Sequence, residues 1–333
     1  MFAPIGSKWV CGLIGLVQIM RYITELKEDM TISEIYFCKK KQELLTKAGK
    51  AYFSVTLQDK TGILDAKVWN TGSGGIEEFS SMDYIFVSGR ITSFQGALQL
   101  NIDRVRKCQE GEYNPGDYMP MTDKNVEEMY RELLNAIQKM KNPYLKKVSQ
   151  MFFVEDEEFS KAFQYHSAAK SVHHGFIGGL LEHTVGVVRI CEYMAQHYPL
   201  INRDLLVCAA MFHDMGKVEE LSRFPENDYT DDGQLLGHIF IGAEKLGQAI
   251  AKIPDFPPKL SSELRHCILA HHGELEFGSP KKPALIEALA LSLADNMDAK
   301  MQTMTEALSG SLDTTEWLGY NRMFESNIRR SSK

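Results

Sequence analysis

Residues 205–217 read LLVCAAMFHDMGK, and they decide what the C-terminal two-thirds of the chain must be. From Leu205 to Phe212 no side chain is polar, so a helix formed here is buried on most of its faces. The run ends on an adjacent imidazole and carboxylate, His213 and Asp214. Burying that pair is costly unless something cationic compensates it. The same conflict recurs at Asp295, set inside the apolar LALSLADNMD of residues 289–298, and at His183, which follows GGLLE at 178–182. A carboxylate in such a setting neutralises, pairs with a base or binds a metal.

Outward from this stretch the hydrophobic period is 3.6. It predicts helices over Val126–Lys141, Leu145–Met151, Leu180–His197, Arg203–Phe212, His238–Ile253, Ser261–His271 and Pro283–Met304. Residues 124–325 therefore read as one all-helical domain, with 326–333 as a tail. Before it the period is two. Ile32–Cys38, Tyr52–Leu57, Ile63–Trp69, Tyr84–Arg90 and Leu98–Val105 read as five strands, with Asp59-Lys60-Thr61-Gly62 as a hairpin turn. Ile76–Phe79 is expected to form a short helix between strands three and four. Five strands so interrupted predict a small closed barrel of the oligonucleotide-binding (OB) type over residues 20–109. Residues 110–123 (EGEYNPGDYMPMT follows from Glu110) hold two Pro and two Gly and read as the linker. The fold class is thus α and β in separate domains, barrel first and helical bundle second.

The 333 residues are 44% hydrophobic and 24% charged, ordinary for a globular protein of about two domains. The net charge of −7 excludes a globally basic nucleic-acid clamp. It is uneven: residues 20–110 carry +1 and residues 111–333 carry −9, so the acidity lies where carboxylates would serve a metal. Six scattered cysteines without C-x-x-C spacing read as reduced, buried thiols of a cytoplasmic protein. The apolar run Trp9–Ile19 is too short to cross a bilayer and lacks a cleavage site after it. Residues 1–19 therefore read as an extension ahead of a natural start at Met20, and no membrane partner is expected.

All ten histidines fall between 166 and 272, in blocks that include SVHHGFIGGLLEHT at 171–184, LLGHIFIG at 235–242 and LAHHG at 269–273. His183, His213, Asp214 and Asp295 together suit a hard-to-borderline divalent ion such as Mn²⁺, Fe²⁺ or Mg²⁺, with Co²⁺ also admitted; structural zinc would more often bring thiolates. Lys217 sits three residues past Asp214, beyond a glycine that permits close approach. His166, His197 and His266 read as structural or surface residues, and Asp298 as solvated or supporting.

The order His183, His213-Asp214, Asp295 on a helical background, with His213-Asp214-Met215-Gly216-Lys217 matching HDxGK, resembles the HD phosphohydrolase superfamily. The resemblance implies that His183, His213, Asp214 and Asp295 hold one metal. It further implies that Asp214, His238 and one or both of His271 and His272 hold a second, with His271 preferred. With a phosphodiester substrate, Lys217 would stabilise phosphate charge, and His173 and His174 would bind a substrate phosphate or protonate the leaving 3′ oxygen.

The barrel adds a second likeness. Phe53–Gly62 (FSVTLQDKTG), Asp65–Trp69 (DAKVW) and the stretch from His173-His174 to Thr184 resemble the YhaM-type 3′→5′ exoribonucleases, over about residues 20–320. That implies 3′→5′ hydrolysis of single-stranded RNA, and of single-stranded DNA as a second substrate, by a hydroxide activated between two metals, Mn²⁺ preferred. Alternation puts Phe53, Val55, Leu57, Leu64, Ala66 and Val68 inside the barrel and, with Tyr36 outward, Ile35 and Phe37 as well. Outside it puts Tyr36, Tyr52, Lys67 and Trp69, near Lys39, Lys40, Lys41, Lys47 and Lys50, a face suited to stacking bases and attracting phosphates. The competing role for those aromatics is packing on a partner, and homo-oligomers stay open. Alternatives are an HD phosphohydrolase for small nucleotides or cyclic dinucleotides, a DNA-binding factor with an inactive HD site, and a di-iron oxygenase.

Overall fold

The structure, a computed structural model, describes residues 20–94, 96–170, 174–309 and 316–332. The chain divides into two compact units between Tyr118 and Met119, inside the segment 110–123. The extension 1–19 lies outside the described residues.

In the first unit, β1 (Thr31–Leu45), β2 (Ala51–Asp59), β3 (Gly62–Val68), β4 (Tyr84–Phe94) and β5 (Ala97–Lys107) close into a barrel of order β1-β2-β3-β5-β4. All pairs are antiparallel except β3 with β5. The β2–β3 turn forms where expected, because Asp59 Oδ1 accepts the backbone N–H of Thr61 at 2.7 Å and of Gly62 at 3.1 Å. Strand β1 outruns its expected end at Cys38. Its first half pairs with β4 and its second with β2, and the second half, from Lys39 on, is largely exposed and so carries no burial pattern.

Three sequence expectations are corrected here. Tyr36 faces into the barrel and is fully buried, together with Ile32 and Cys38, and its hydroxyl donates to Arg21 O at 3.0 Å. Phe37, expected inside, instead packs against the Tyr84 ring at 5.3 Å, and Tyr84 stacks on Tyr113 at 3.8 Å. An outer residue covered by aromatics is as buried as a core one, which inverted the apparent parity. Ile76–Phe79 is not helical: Ile76 bridges Val105, and Phe79 is buried with its carbonyl accepting Lys41 Nζ at 2.7 Å.

The second unit is a helical bundle: α1 (Val126–Gln138), α2 (Pro143–Gln150), α3 (Glu157–Tyr165), α4 (Gly179–His197), α5 (Arg203–Phe212), α6 (Lys217–Glu220), α7 (Asp231–Leu235), α8 (Gly237–Ile250), α9 (Pro258–Leu269) and α10 (Ile286–Ser309). Side chains of Asn125, Asn142, Asp156 and Asn202 cap α1, α2, α3 and α5, satisfying amides that the first turn leaves orphaned. Every residue from Leu205 to Phe212 is buried, so α5 is the central helix that its sequence requires. The bundle is not helical to its end, because β6 (Tyr320–Asn321) and β7 (Ser326–Asn327) pair in a small hairpin. Among the described residues all five cysteines are free and buried, and no helix is long and apolar enough to cross a membrane.

Candidate metal centre

Six elements deliver the site. His183 is the fifth residue of α4, His213 and Asp214 follow the last turn of α5, and Lys217 opens α6. His238 opens α8, His271 and His272 follow α9, and Asp295 and Asp298 lie one turn apart on α10. Gly216 brings the start of α8 against the dyad: a Cβ there would lie 2.1 Å from His238 O. Residues distant in sequence meet because the apolar faces of α4, α5, α9 and α10 can be buried only against one another.

The distances define two groups that share one carboxylate. His183 Nε2 lies 3.1 Å from both His213 Nε2 and Asp295 Oδ1. Asp214 Oδ2 lies 3.5 Å from His183 Nε2 and 3.3 Å from His213 Nε2. Its other oxygen, Oδ1, lies 3.4 Å from His238 Nε2 and 3.7 Å from His271 Nε2. The ligand atoms of His238, His271 and His272 form a cluster of their own, within 4.8 Å of one another. His213, Asp214 and His271 are almost completely buried.

The outer ring nitrogens fix the tautomers. His213 Nδ1 donates to Ala210 O at 2.8 Å, His271 Nδ1 to Ile268 O at 2.7 Å and His272 Nδ1 to Phe277 O at 2.7 Å. His238 Nδ1 donates to Glu220 Oε1 at 2.9 Å, and His183 Nδ1 to Asp298 Oδ2 at 2.8 Å. A carbonyl can only accept, so the Nδ1 proton of His213, His271 and His272 is committed outward and their Nε2 atoms point inward. Among the described residues, Asp214 Oδ1, His238 Nε2 and His271 Nε2 are buried with no hydrogen-bond partner. Inward lone pairs and acid oxygens, each oriented by an outer carbonyl or carboxylate, are a donor set that fits divalent cations.

The electrostatics agree. Burial opposes charge on Asp214, yet Lys217 and His213 hold its carboxyl well below the usual range. Lys217 Nζ donates to Asp214 Oδ2 at 2.7 Å, and Asp214 raises the ammonium pKa in return, against the effect of burial. For His183 burial again works against the charged form, but Asp295 and Asp298 outweigh it and push its pKa up to about 10. A cation held at Nε2 would take the place of that proton and supply the same positive charge to the acids. Burial pushes His271 and His272 down, which keeps both neutral and able to ligate.

Two supporting carboxylates complete the centre. Glu220 takes both the ring Nδ1 and the backbone N–H of His238, each at 2.9 Å, and the sequence reading missed it. The only signal was its place after HDMGK, which Glu219 shares. Asp298 also receives His174 Nε2 at 3.2 Å, so the almost buried His174 stands behind His183. His173 lies outside the described residues. Among the remaining histidines, His166 is buried, His266 Nε2 accepts Ala284 N–H at 2.9 Å, and His197 rests against the Tyr198 ring at 4.8 Å.

On the barrel, Tyr52 and Trp69 stack with ring centroids 4.9 Å apart, and Trp69 is 44% exposed. Trp69 Nε1 donates to Asn101 Oδ1 at 2.8 Å, which pins the indole on the surface. Lys67 Nζ is held by Ser54 Oγ at 2.8 Å and Asp65 Oδ1 at 2.7 Å. Lys41 Nζ is also engaged, 4.2 Å above each of the Phe53 and Phe79 rings. Lys39, Lys40, Lys47 and Lys50 are exposed. Tyr36, inside the barrel, is no part of this face.

The HD domain family matches residues 180–300, spanning His183 to Asp298. The chain is 35% identical over 265 residues to the 3′-5′ exoribonuclease YhaM of Geobacillus sp. (strain WCH70), covering 78% of this chain and 79% of that protein. It belongs to the YhaM family. The YhaM protein of Bacillus subtilis (strain 168) matches equally, at 35% identity over 78% of this chain and 82% of its own length. Among solved structures, the second OB-fold domain of replication protein A from Methanococcus maripaludis is 21% identical and covers 28% of this chain and all of its own, with a TM-score of 0.23. As a YhaM-family member with an HD domain, the chain is a metal-dependent phosphodiester hydrolase.

Proposed function

We infer that the chain is a metal-dependent 3′→5′ exoribonuclease in which the helical unit cleaves and the barrel holds single-stranded RNA. Family membership supports the activity. One observation carries the two-metal form of this reading: the two oxygens of Asp214 face two different sets of imidazole nitrogens. His183, His213, Asp214 and Asp295 would hold one ion, and Asp214, His238, His271 and His272 the other. The imidazole-nitrogen and carboxylate donors favour Mn²⁺, with Fe²⁺, Mg²⁺ and Co²⁺ also compatible. Bound there, divalent ions neutralise phosphoryl oxygens and lower the pKa of an attacking water.

The chain's own residues do the rest. Asp214 stays ionised at the centre because Lys217 and His213 hold it so. Lys217 keeps positive charge beside it for the non-bridging phosphate oxygens. Asp298 and Glu220 fix the rings of His183 and His238, and His174 is assigned to support His183 through Asp298. On the barrel, Tyr52 and Trp69 stack on unpaired bases while Lys39, Lys40 and Lys50 attract phosphates. Lys67, held by two partners, orders that face. Single-stranded DNA would fit the same face.

The test is digestion of a 5′-labelled single-stranded RNA with Mn²⁺. A ladder shortening from the 3′ end, outcompeted by long single strands but not by mononucleotides or cyclic dinucleotides, is expected. Preferential turnover of the small nucleotides would overturn the assignment.

A further inference from the structure

The loop that follows His271-His272 is tied down at several points yet holds two large apolar side chains in water. Leu275–Phe277 forms a 3-10 turn closed by Gly278 at φ 83°. His272 Nδ1 donates to Phe277 O at 2.7 Å, and Ser279 Oγ lies 3.0 Å from Leu269 O and 2.8 Å from Lys281 O. Lys282 Nζ pairs with Glu274 Oε2 at 2.6 Å. Within this anchored turn Leu275 is 55% and Phe277 68% exposed.

The loop borders the metal centre directly. The His272 ring, bonded to the Phe277 carbonyl, is 4.4 Å from the His271 ring and 5.3 Å from that of His238. Phe277 is therefore one hydrogen bond from a histidine of the cluster, through the outer nitrogen of that ring. An exposed aromatic on a fixed loop is a ready contact surface, and on a loop bonded to a histidine of a phosphodiester-cleaving centre a base is the natural partner for it.

We propose that Phe277 is the stacking platform for the 3′-terminal base of the strand, so that the catalytic unit holds the last nucleotide by its base as well as by its phosphate. This rests on the exoribonuclease reading of the histidine centre. The role belongs to the side chain, because the His272 contact uses only the main-chain carbonyl.

The experiment measures kcat/KM for release of the first nucleotide from a short RNA and from the same RNA ending in an abasic ribose, with full-length wild type, Phe277→Ala and Phe277→Trp. Stacking predicts about a tenfold loss for Phe277→Ala on the base-bearing end, recovery by Phe277→Trp, and a loss at least about fivefold smaller on the abasic end. Metal content of Phe277→Ala is expected to match wild type. Equal losses on both ends, which a misplaced His272 or a protein-docking role would give, overturn the proposal, as does no loss on either. Wild type inactive on both RNAs would instead remove the exoribonuclease reading beneath it.

Discussion

Asp298 Oδ2 receives His183 Nδ1 at 2.8 Å, and room for this carboxylate is made by Gly186, where a Cβ would lie 2.1 Å from Asp298 Oδ1. The bond settles which nitrogen of His183 faces the centre. Burial opposes the ionised form of Asp298, but His174 and His183 hold its pKa below the ordinary carboxylate value. Losing an outer partner of a ligating histidine typically costs about 10–100-fold in metal affinity. Asp298→Ala is therefore expected to weaken Mn²⁺ binding by roughly that factor, with much of the activity regained at high Mn²⁺. Gly186→Ala, which displaces the same carboxylate without touching a ligand, should show the same phenotype. Metal titration of both variants checks it, and unchanged affinity in both would remove Asp298 from the centre.

Among the described residues Asp214 alone is common to both histidine groups, so its loss should abolish hydrolysis rather than reduce it. Asp214→Ala is expected to be inactive at every Mn²⁺ concentration while binding single-stranded RNA within about twofold of wild type, since the proposed grip is on the barrel. A gel-shift titration beside the activity assay separates these effects. A variant with full turnover would end the metal assignment.

Metal binding to the folded state alone must also stabilise it. At a hundredfold excess over Kd the gain is about 2.7 kcal/mol, or roughly 5–10 °C in Tm for a unit of this size. Wild type should lose that increment on chelation and regain it with Mn²⁺, whereas Asp214→Ala should show little response. Thermal melts with and without chelator decide it.

Much of this centre was legible because its cost was legible. His213-Asp214 and Asp295 sit in runs too apolar to bury a charge for no reason, and the bundle draws them together. What the sequence did not show depends on partners distant in the chain. Nothing local distinguishes Glu220 from Glu219 as the support of His238. Asp298 looked polar and peripheral beside Lys300, yet it is directed inward because α10 turns Asp295 and Asp298 toward one side. In the barrel, alternation located all five strands, but it failed at Tyr36, where Phe37 is hidden beneath Tyr84 on the outer surface. Ile76–Phe79 has helical spacing and yet is pulled flat by its bridge to Val105.

The pinned indole of Trp69 gives the barrel a measurable role. Stacking on an aromatic is worth about 1–3 kcal/mol per base, so Tyr52→Ala with Trp69→Ala should raise the Kd for a long single strand by roughly tenfold or more. Hydrolysis of a dinucleotide, which needs only the metal centre, should change little. Fluorescence anisotropy with a labelled RNA and a dinucleotide assay make the comparison. Equal losses on long and short substrates would assign the pair to packing.

Buried thiols give the helical unit an alkaline limit. Burial pushes Cys208 and Cys267 each up to about 12, whereas an unfolded thiol ionises near 8.5. Above that pH the unfolded chain has released protons that the folded chain still binds. The linkage slope is then negative, so the stabilisation is complete below about 8.5 and is lost as pH rises toward 12. The same shift keeps the thiolate fraction negligible, so at pH 8 neither thiol should react with a disulfide reagent until the protein unfolds. Replacing Cys208 with Ala removes its share of the pH dependence, at the cost of a small cavity beside Ser149, whose hydroxyl lies 3.5 Å from the sulfur. Urea midpoints between pH 8 and 10, wild type against Cys208→Ala, should show the steeper decline in wild type. Parallel curves would mean that the thiol titrates alike in both states.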